Sequence, residues 1–431
     1  MIEVTCTTSQ LKAPTPFNLG DLQREAYRVF KFSPSYTLTL AEKLYLNGLI
    51  SYPRTSSQKL SPSIDYKKII LSISELSLSL PYDDSDNKKY NGSVCHSIYK
   101  SLAVSLLSER SLSPNQGSKT DPAHPAIYPT GERPKVRLEK ADFKIFDLII
   151  KRFFATFGKP ALSRLITATI QVKNDYLFRA DSKKTIDEGW LPYYRPYNSL
   201  TNTGSEKELL NLRNSDSLQN ISITIAEKFS QPPPRFNQAT LLEQMEKDNI
   251  GTKATRSDVI STLFKRNYIS NINAPRLEKT TEQPRQTGAL GIVATELGLE
   301  IIQSMRSYVP EIISSDLTRF TEAQLYQIES GTMRSANVLK SAIDRLNEAL
   351  VYLKKKEKEI GDRLTEAITM TRLQQQQRQH RQTTLGACPV CRDGLLRIIR
   401  SSRTKKRFIG CSNYTSGKCK AAAACRRLDH Y

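Results

Sequence analysis

The sequence predicts a multidomain, mixed α+β protein, mainly helical. It has two winged-helix-like domains, a β-rich stretch between them and a small zinc ribbon at its end. Three observations predict this. Helix–helix–strand order occurs twice, alternating apolar and polar residues crowd into 166–181 and 220–229, and five of the seven cysteines follow residue 387. At 431 residues the chain exceeds one ordinary core, and 38% hydrophobic residues suffice for several.

In the first unit, PFNLGDLQREAYRVF (16–30) sets Leu22, Ala26 and Phe30 at helical spacing. SPSYTLTLAEKLYLNG (33–48) follows, with Ser33 or Ser35 as N-cap, Leu40, Leu44 and Tyr45 on one face and Gly48 as the stop. LISY is a short extended piece. The pattern returns at an offset of 219 in RFNQATLLEQMEKDNIGTKATRSDVISTLFKRNYIS (235–270), where Phe17/Phe236, Asn18/Asn237, Leu22/Leu241, Leu44/Leu263, Ile50/Ile269 and Ser51/Ser270 coincide. Tyr52 faces Asn271, so only the first copy carries a phenol. ITATIQV, YLFRAD and NISITIAEKF read as antiparallel strands, interrupted by a polar loop near 199–219, and Pro232–Pro234 mark a boundary. Residues 338–368 read as a long amphipathic helix or a pair, and RLQQQQRQHRQTT as a polar, basic linker. The alternating LSISELSLSL also fits a helix, with Ile69, Ile70, Ile73, Leu76 and Leu80 on one face, and the Asp84–Asp86 pair after it is read as a solvated loop rather than a metal site.

The net charge of +21 argues for a polyanionic partner, of which nucleic acid is the commonest. Residues 371–431 hold 14 Lys/Arg against Asp393 and Asp429, so +12 of the charge lies there and the body is mildly basic. No apolar run approaches the ~20 residues of a membrane span, and the N-terminus lacks a signal-peptide pattern. A soluble intracellular protein, cytoplasmic or nucleoid, is expected, with no membrane partner.

Three stretches carry chemistry. In SYPRTSS, a phenol with a pKa near ~10 attacks poorly unless a cation stabilises its phenolate. Arg54 lies two residues beyond Tyr52, while Thr55, Ser56 and Ser57 offer hydroxyls to a phosphate. The bland alternative is a core tyrosine beside a solvated arginine. In DPAHPAIYPTGERP (121–134), Pro122 and Pro125 hold His124 in an extended loop, either to hydrogen-bond a phosphate or leaving oxygen or as a structural histidine. In IGTKATRSDVI (250–260), a glycine turn sets Thr252, Lys253, Thr255 and Arg256 at a helix start, an anion site or an ordinary cap. CPVC and CSNYTSGKC place Cys388, Cys391, Cys411 and Cys419 as ligands of a structural Zn²⁺, with Cys425 the alternative to Cys419. Cys6 and Cys95 read as structural, and His96 is assigned no metal.

LYLNGLISYPRTSS, DPAHPAIYPTG, DEGW (187–190), NIGTKATRSDVISTLFKRNYI and LTRFTEAQLYQIESG (317–331) together resemble, in this order, type IA DNA topoisomerases of the archaeal kind. The resemblance runs from about residue 15 to the cysteine region. It implies that Tyr52 attacks a backbone phosphate of single-stranded DNA and forms a 5′-phosphotyrosine. Arg54 would hold that phosphate, His124 would assist transfer, and Thr55, Ser56, Thr252, Lys253, Thr255 and Arg256 would contact DNA. Supercoiled DNA is the implied substrate.

It also implies a division into the end of a gate segment (1–14), a tyrosine-bearing winged-helix domain (15–160), β-rich gate strands (161–232), a second winged-helix domain (233–370), a basic linker (371–384) and a zinc ribbon (385–431). The family's TOPRIM domain, which supplies the acidic ligands of a catalytic Mg²⁺, has no counterpart here. A TOPRIM-containing partner chain is therefore expected, and this chain is expected to be half of a split or truncated enzyme. The competing expectation is a catalytically idle single-strand-binding clamp.

Overall fold

The computed structural model describes residues 2–76, 92–109, 112–172, 176–198, 224–227, 230, 233–272, 291–400, 407–414 and 416–424. The chain divides into a first compact unit reaching to Thr262, with Gly291, and a second holding Leu263–Ile272 and the chain from Ile292 onward.

The first unit is built on five helices: α1 (Leu19–Phe30), α2 (Pro34–Leu46), α3 (Tyr66–Ser74), α4 (Gly92–Leu107) and α5 (Lys140–Thr156). Asn18 caps α1 by accepting from the Asp21 amide, and Ser33 caps α2 by accepting from the Tyr36 amide, with Pro34 at the first helical position. Gly48 ends α2 at φ +74°, a conformation that costs a side-chain-bearing residue strain, so the chain turns sharply into the Tyr52 segment. Leu22, Ala26, Leu44, Leu49, Ile70, Ile73, Phe146 and Phe154 are sealed from solvent in one core. Tyr45 departs from the face expected for it. It is 41% exposed and turns toward Tyr52 instead. Because Leu44 is fully buried among large side chains, Leu44→Ala is expected to cost about 3 kcal/mol, transfer plus cavity. The denaturant midpoint of the first unit is the measurement, and a change of less than a third of that would place Leu44 outside the core.

β1 (Ile2–Leu11), β2 (Ala161–Val172) and β3 (Tyr176–Asp187) form an antiparallel sheet in that order, Ile2 opposite Ile170 and Leu11 opposite Ala161. The expected strands at 166–172 and 176–181 are present, but the third strand is the N-terminal segment. Residues 224–227 of the expected third strand are not in a strand, and the rest of 220–229, the 199–219 loop, Pro232, Leu80, Asp84–Asp86 and Cys425 lie outside the described residues. Cys95 and His96 lie on α4, and their side chains are likewise outside the description.

The 219-residue repeat is visible in local geometry. α6 (Gln238–Lys247) is capped by Asn237 as α1 is by Asn18. α7 (Arg256–Lys265) ends with Asn267 at φ +58°, where Gly48 stands in the first copy, and the Tyr268 amide donates to Leu263 O as the Leu49 amide does to Leu44 O. Thr130 Oγ1 donates to Gly48 O at 2.6 Å, and Thr295 Oγ1 to Asn267 O at 2.6 Å. The amides of the same two threonines donate to Leu49 O and Tyr268 O. Two aligned pairs are not equivalent in burial. Phe17 is buried whereas Phe236 is 48% exposed, and Leu242 rather than Leu241 takes the buried place of Leu22.

In the second unit, β4 (Ile269–Ile272) pairs with β5 (Gly291–Ala294). α8 (Glu296–Tyr308), α9 (Ser315–Glu329), α10 (Ser335–Lys355) and α11 (Glu357–Thr383) follow. α8 is tied to α11 by Arg363–Glu300 at 2.8 Å and Tyr308–Glu359 at 2.6 Å. The stretch expected as a basic linker continues α11 to Thr383, in keeping with the helix propensity of its Gln and Arg residues. A four-stranded sheet, β6 (Thr384–Ala387), β7 (Leu395–Arg400), β8 (Arg407–Cys411) and β9 (Ala422–Ala424), closes the description.

Candidate active site

The Gly48 turn delivers an extended segment that bonds to the loop after His124. Ile50 bridges Pro129, the Ser51 amide donates to Tyr128 O at 2.9 Å, and Ser51 Oγ accepts from the Tyr128 amide at 3.0 Å. This pairing brings Tyr52 and His124 together across 72 residues, with ring centroids 4.6 Å apart. Tyr45 packs edge-on against Tyr52 at 5.3 Å. The phenol thus touches two rings and remains half-buried.

Arg54 donates from Nε to Glu42 Oε1 at 2.7 Å. One of its five N–H donors is spent on this anchor, which aims the planar fork. The hydroxyls expected to face a phosphate are used differently. Thr55 is fully buried and donates to His124 O at 3.1 Å, while Ser57, also buried, donates to Lys59 O. Ser56 Oγ donates to Thr120 O and Asp121 Oδ2. These groups serve the loop itself.

Asp121 is the residue that sequence reasoning passed over. Its side chain is 1% exposed, accepts from the Ser56, Ala123 and His124 amides, and pairs with Lys253. Burial would raise its pKa, but Lys253 and the Ser56 and Ala123 amides outweigh that and hold it well below the usual carboxylate range. Only the Asp-Pro step, a common turn start, hinted at it. Glu42, on the exposed side of an amphipathic helix, gave no signal.

Thr252, Lys253, Thr255 and Arg256 do gather at the start of α7, after Gly251. The Thr252 amide donates to Thr255 Oγ1 at 2.9 Å, and Arg256 Nε donates to Ile250 O at 3.1 Å. An open groove of about 670 Å³ runs past them, bordered by Arg24, Ser56, Lys119, Lys247, Lys253 and Arg256. Glu243 and Glu246 also line it, and Glu246 is paired with Arg24 at 2.8 Å and with Lys119.

Cys388, Cys391, Cys411 and Cys419 place all four sulfurs within 4.8 Å of one another. Cys388–Cys419 and Cys391–Cys411 stand at 3.8 and 3.5 Å, close to the ~3.8 Å that tetrahedral Zn–S bonds of about 2.3 Å require. A Cβ on Gly394 would fall 2.5 Å from Cys411 Sγ, so only glycine leaves room for the cluster. The Cys391 amide, with that of Val390, lowers the Cys388 thiol to about 7. The Asn413 amide favours the Cys411 thiolate, but burial and the other three thiols outweigh it and push it up to about 12. Four thiols so close cannot all ionise without a cation among them. The set fits a metal ion such as zinc. Among the described residues no other group of His, Cys, Asp or Glu could hold a metal, so no carboxylate set for Mg²⁺ is found there.

The family described as DNA topoisomerase matches residues 1–340, most of the chain. This chain belongs to the DNA topoisomerase family. It is 35% identical to DNA topoisomerase 1 of Pyrococcus horikoshii over 93% of its length and 52% of that protein's, and 36% identical to DNA topoisomerase 1 of Methanocaldococcus jannaschii over 96% and 47%. The chain thus spans about half the length of these curated relatives. The fold is similar to that of full-length topoisomerase I from Thermotoga maritima, with a TM-score of 0.56, 20% identity and coverage of 98% of this chain and 59% of that one. No helix among the described residues is long and apolar enough to cross a membrane.

Proposed function

We propose that this chain is the strand-cleaving and gate portion of a type IA DNA topoisomerase, acting on single-stranded regions of supercoiled DNA without ATP. The observation that carries the proposal is the Tyr52 phenol, half-buried against His124 at 4.6 Å, two residues before an anchored arginine. The Tyr52 oxygen attacks a backbone phosphorus and breaks its bond to the 3′ oxygen. The products are a 5′-phosphotyrosine and a 3′-hydroxyl, and His124 handles the proton that one oxygen loses and the other gains. Arg54 holds the non-bridging phosphate oxygens by charge-assisted hydrogen bonds. Because one phosphodiester replaces another, the 3′-hydroxyl reseals the strand by the reverse step. Thr252, Thr255 and Arg256 line the approach of the strand, Thr55 and Ser56 brace the tyrosine loop, and the two repeated helix pairs serve as winged-helix modules. The four cysteines hold a structural Zn²⁺ that fixes the basic ribbon.

A partner portion with a TOPRIM domain brings the Mg²⁺ ligands. The chain alone is therefore expected to bind single-stranded oligonucleotide, with log affinity falling linearly against log salt, yet to accumulate no covalent adduct. Deleting 371–431, which removes +12 of charge, should flatten that slope markedly. Denaturing gels of end-labelled oligonucleotide with and without the partner portion and Mg²⁺ test the proposal. No adduct with both present favours the idle clamp, and salt-independent binding contradicts DNA as the ligand.

A further inference from the structure

Three segments meet on one carboxylate. Asp121 Oδ2 accepts from the Ser56 amide at 3.0 Å and Ser56 Oγ at 3.1 Å, and Oδ1 accepts from the amides of Ala123 at 3.1 Å and His124 at 3.3 Å. Lys253, from the segment before α7, donates to Oδ2. The carboxylate is 1% exposed while the lysine is 39% exposed, so Asp121 reaches no incoming strand directly. A buried carboxylate without a partner is costly, and removal of one member of such a pair leaves the other uncompensated.

We propose that Asp121 is a positioning residue of the Tyr52 site: it clips the Ser56 and His124 loops together so that the two rings meet, and it takes Lys253 as its counter-charge. Lys253 then balances a buried anion and does not grip the strand, which is the role its place at a helix start had suggested. The geometry favours this assignment because three backbone amides from two loops converge on one buried carboxylate, and because the Ser56 amide lies four residues from Tyr52. The depressed pKa agrees, since the carboxylate stays charged throughout the neutral range. The inference rests on the reading of Tyr52 as the nucleophile for its meaning, but its test does not.

The chain has four histidines, so ring-labelled protein gives a spectrum in which His124→Gln identifies one resonance. That resonance should carry the ring-current shift of Tyr52. In Asp121→Asn it should move toward the ordinary histidine position. The groove also gains one net positive charge, so oligonucleotide binding should tighten and its log–log salt slope should steepen by about 0.7. Lys253→Gln should shift the slope the opposite way, and the double variant should return it to that of the parent. If Asp121→Asn does not fold, Asp121→Glu carries the test, because it keeps the charge and hence the slope while its longer arm displaces the His124 resonance. An unmoved resonance in either variant overturns the inference. So does weaker binding in Asp121→Asn to the same degree as in Lys253→Gln, the mark of a lysine that grips DNA. None of these readouts involves adduct formation, so they separate failure of the clip from failure of the tyrosine.

Discussion

Tyr52→Phe is expected to abolish covalent trapping of DNA, while binding of the same oligonucleotide stays within about twofold of the parent. The reason is that phenylalanine keeps the ring against Tyr45 and His124 and removes only the phenol oxygen. Where a covalent nucleophile has been deleted from an enzyme, the loss in turnover is on the order of a million-fold, because what remains is binding and electrostatics. The measurement is a denaturing gel of end-labelled single-stranded oligonucleotide with the partner portion and Mg²⁺ present. The adduct should carry the fragment on the 3′ side of the break, joined through its 5′ phosphate and keeping a 3′ end label, and a peptide digest should place it on Tyr52. An adduct that survives the substitution, or that maps to another side chain, sinks the assignment. A parallel Arg54→Ala variant should bind almost normally and trap far more slowly, since it removes phosphate contacts and leaves Glu42 without its cation.

Cys391→Ser is expected to take the bound zinc from one per chain to none and to unfold the ribbon alone. Metal binding supplies about 10–16 kcal/mol to such small domains, more than their core can supply. Among the described residues, the buried core there is Cys388, Cys411 and Cys419, with Cys391, Leu396 and Ala421 packed against them. Hydrogen exchange should therefore report loss of protection in β7 and β8, while the helical core around Leu44 and Phe146 keeps its protection. Chelation of the parent protein should reproduce the pattern. Full zinc retention in the variant would exclude Cys391 as a ligand.

Much of this protein is legible in one dimension because its decisive features are local. Helical spacing of Leu22 with Ala26, the Ser33 cap and the Gly48 stop are satisfied within a few residues, so they appear as pattern. The repeat could be read from six coincident residues, and it is carried by the same caps and turns in both copies. Cysteine spacing located the cluster for the same reason, since a C-x2-C turn presents two sulfurs to one point.

By itself, then, the sequence set out the mixed α+β class, the repeated pattern of residues, the segments bearing Tyr52, His124 and Arg256, and a cysteine set whose fourth member it left between Cys419 and Cys425. Only the tertiary structure decided how these segments meet. β1 enters the sheet through pairing with residues some 150 positions away, Tyr52 meets His124 through a bridge between Ile50 and Pro129, and Asp121 joins Ser56 to Lys253. Thr55 shows the difference most plainly. Its hydroxyl reads as a phosphate donor in the row of SYPRTSS, yet the fold buries it against the carbonyl of His124. Periodicity reports what neighbouring residues share, whereas the worth of a carboxylate or a hydroxyl depends on the partners and the burial that distant segments bring to it.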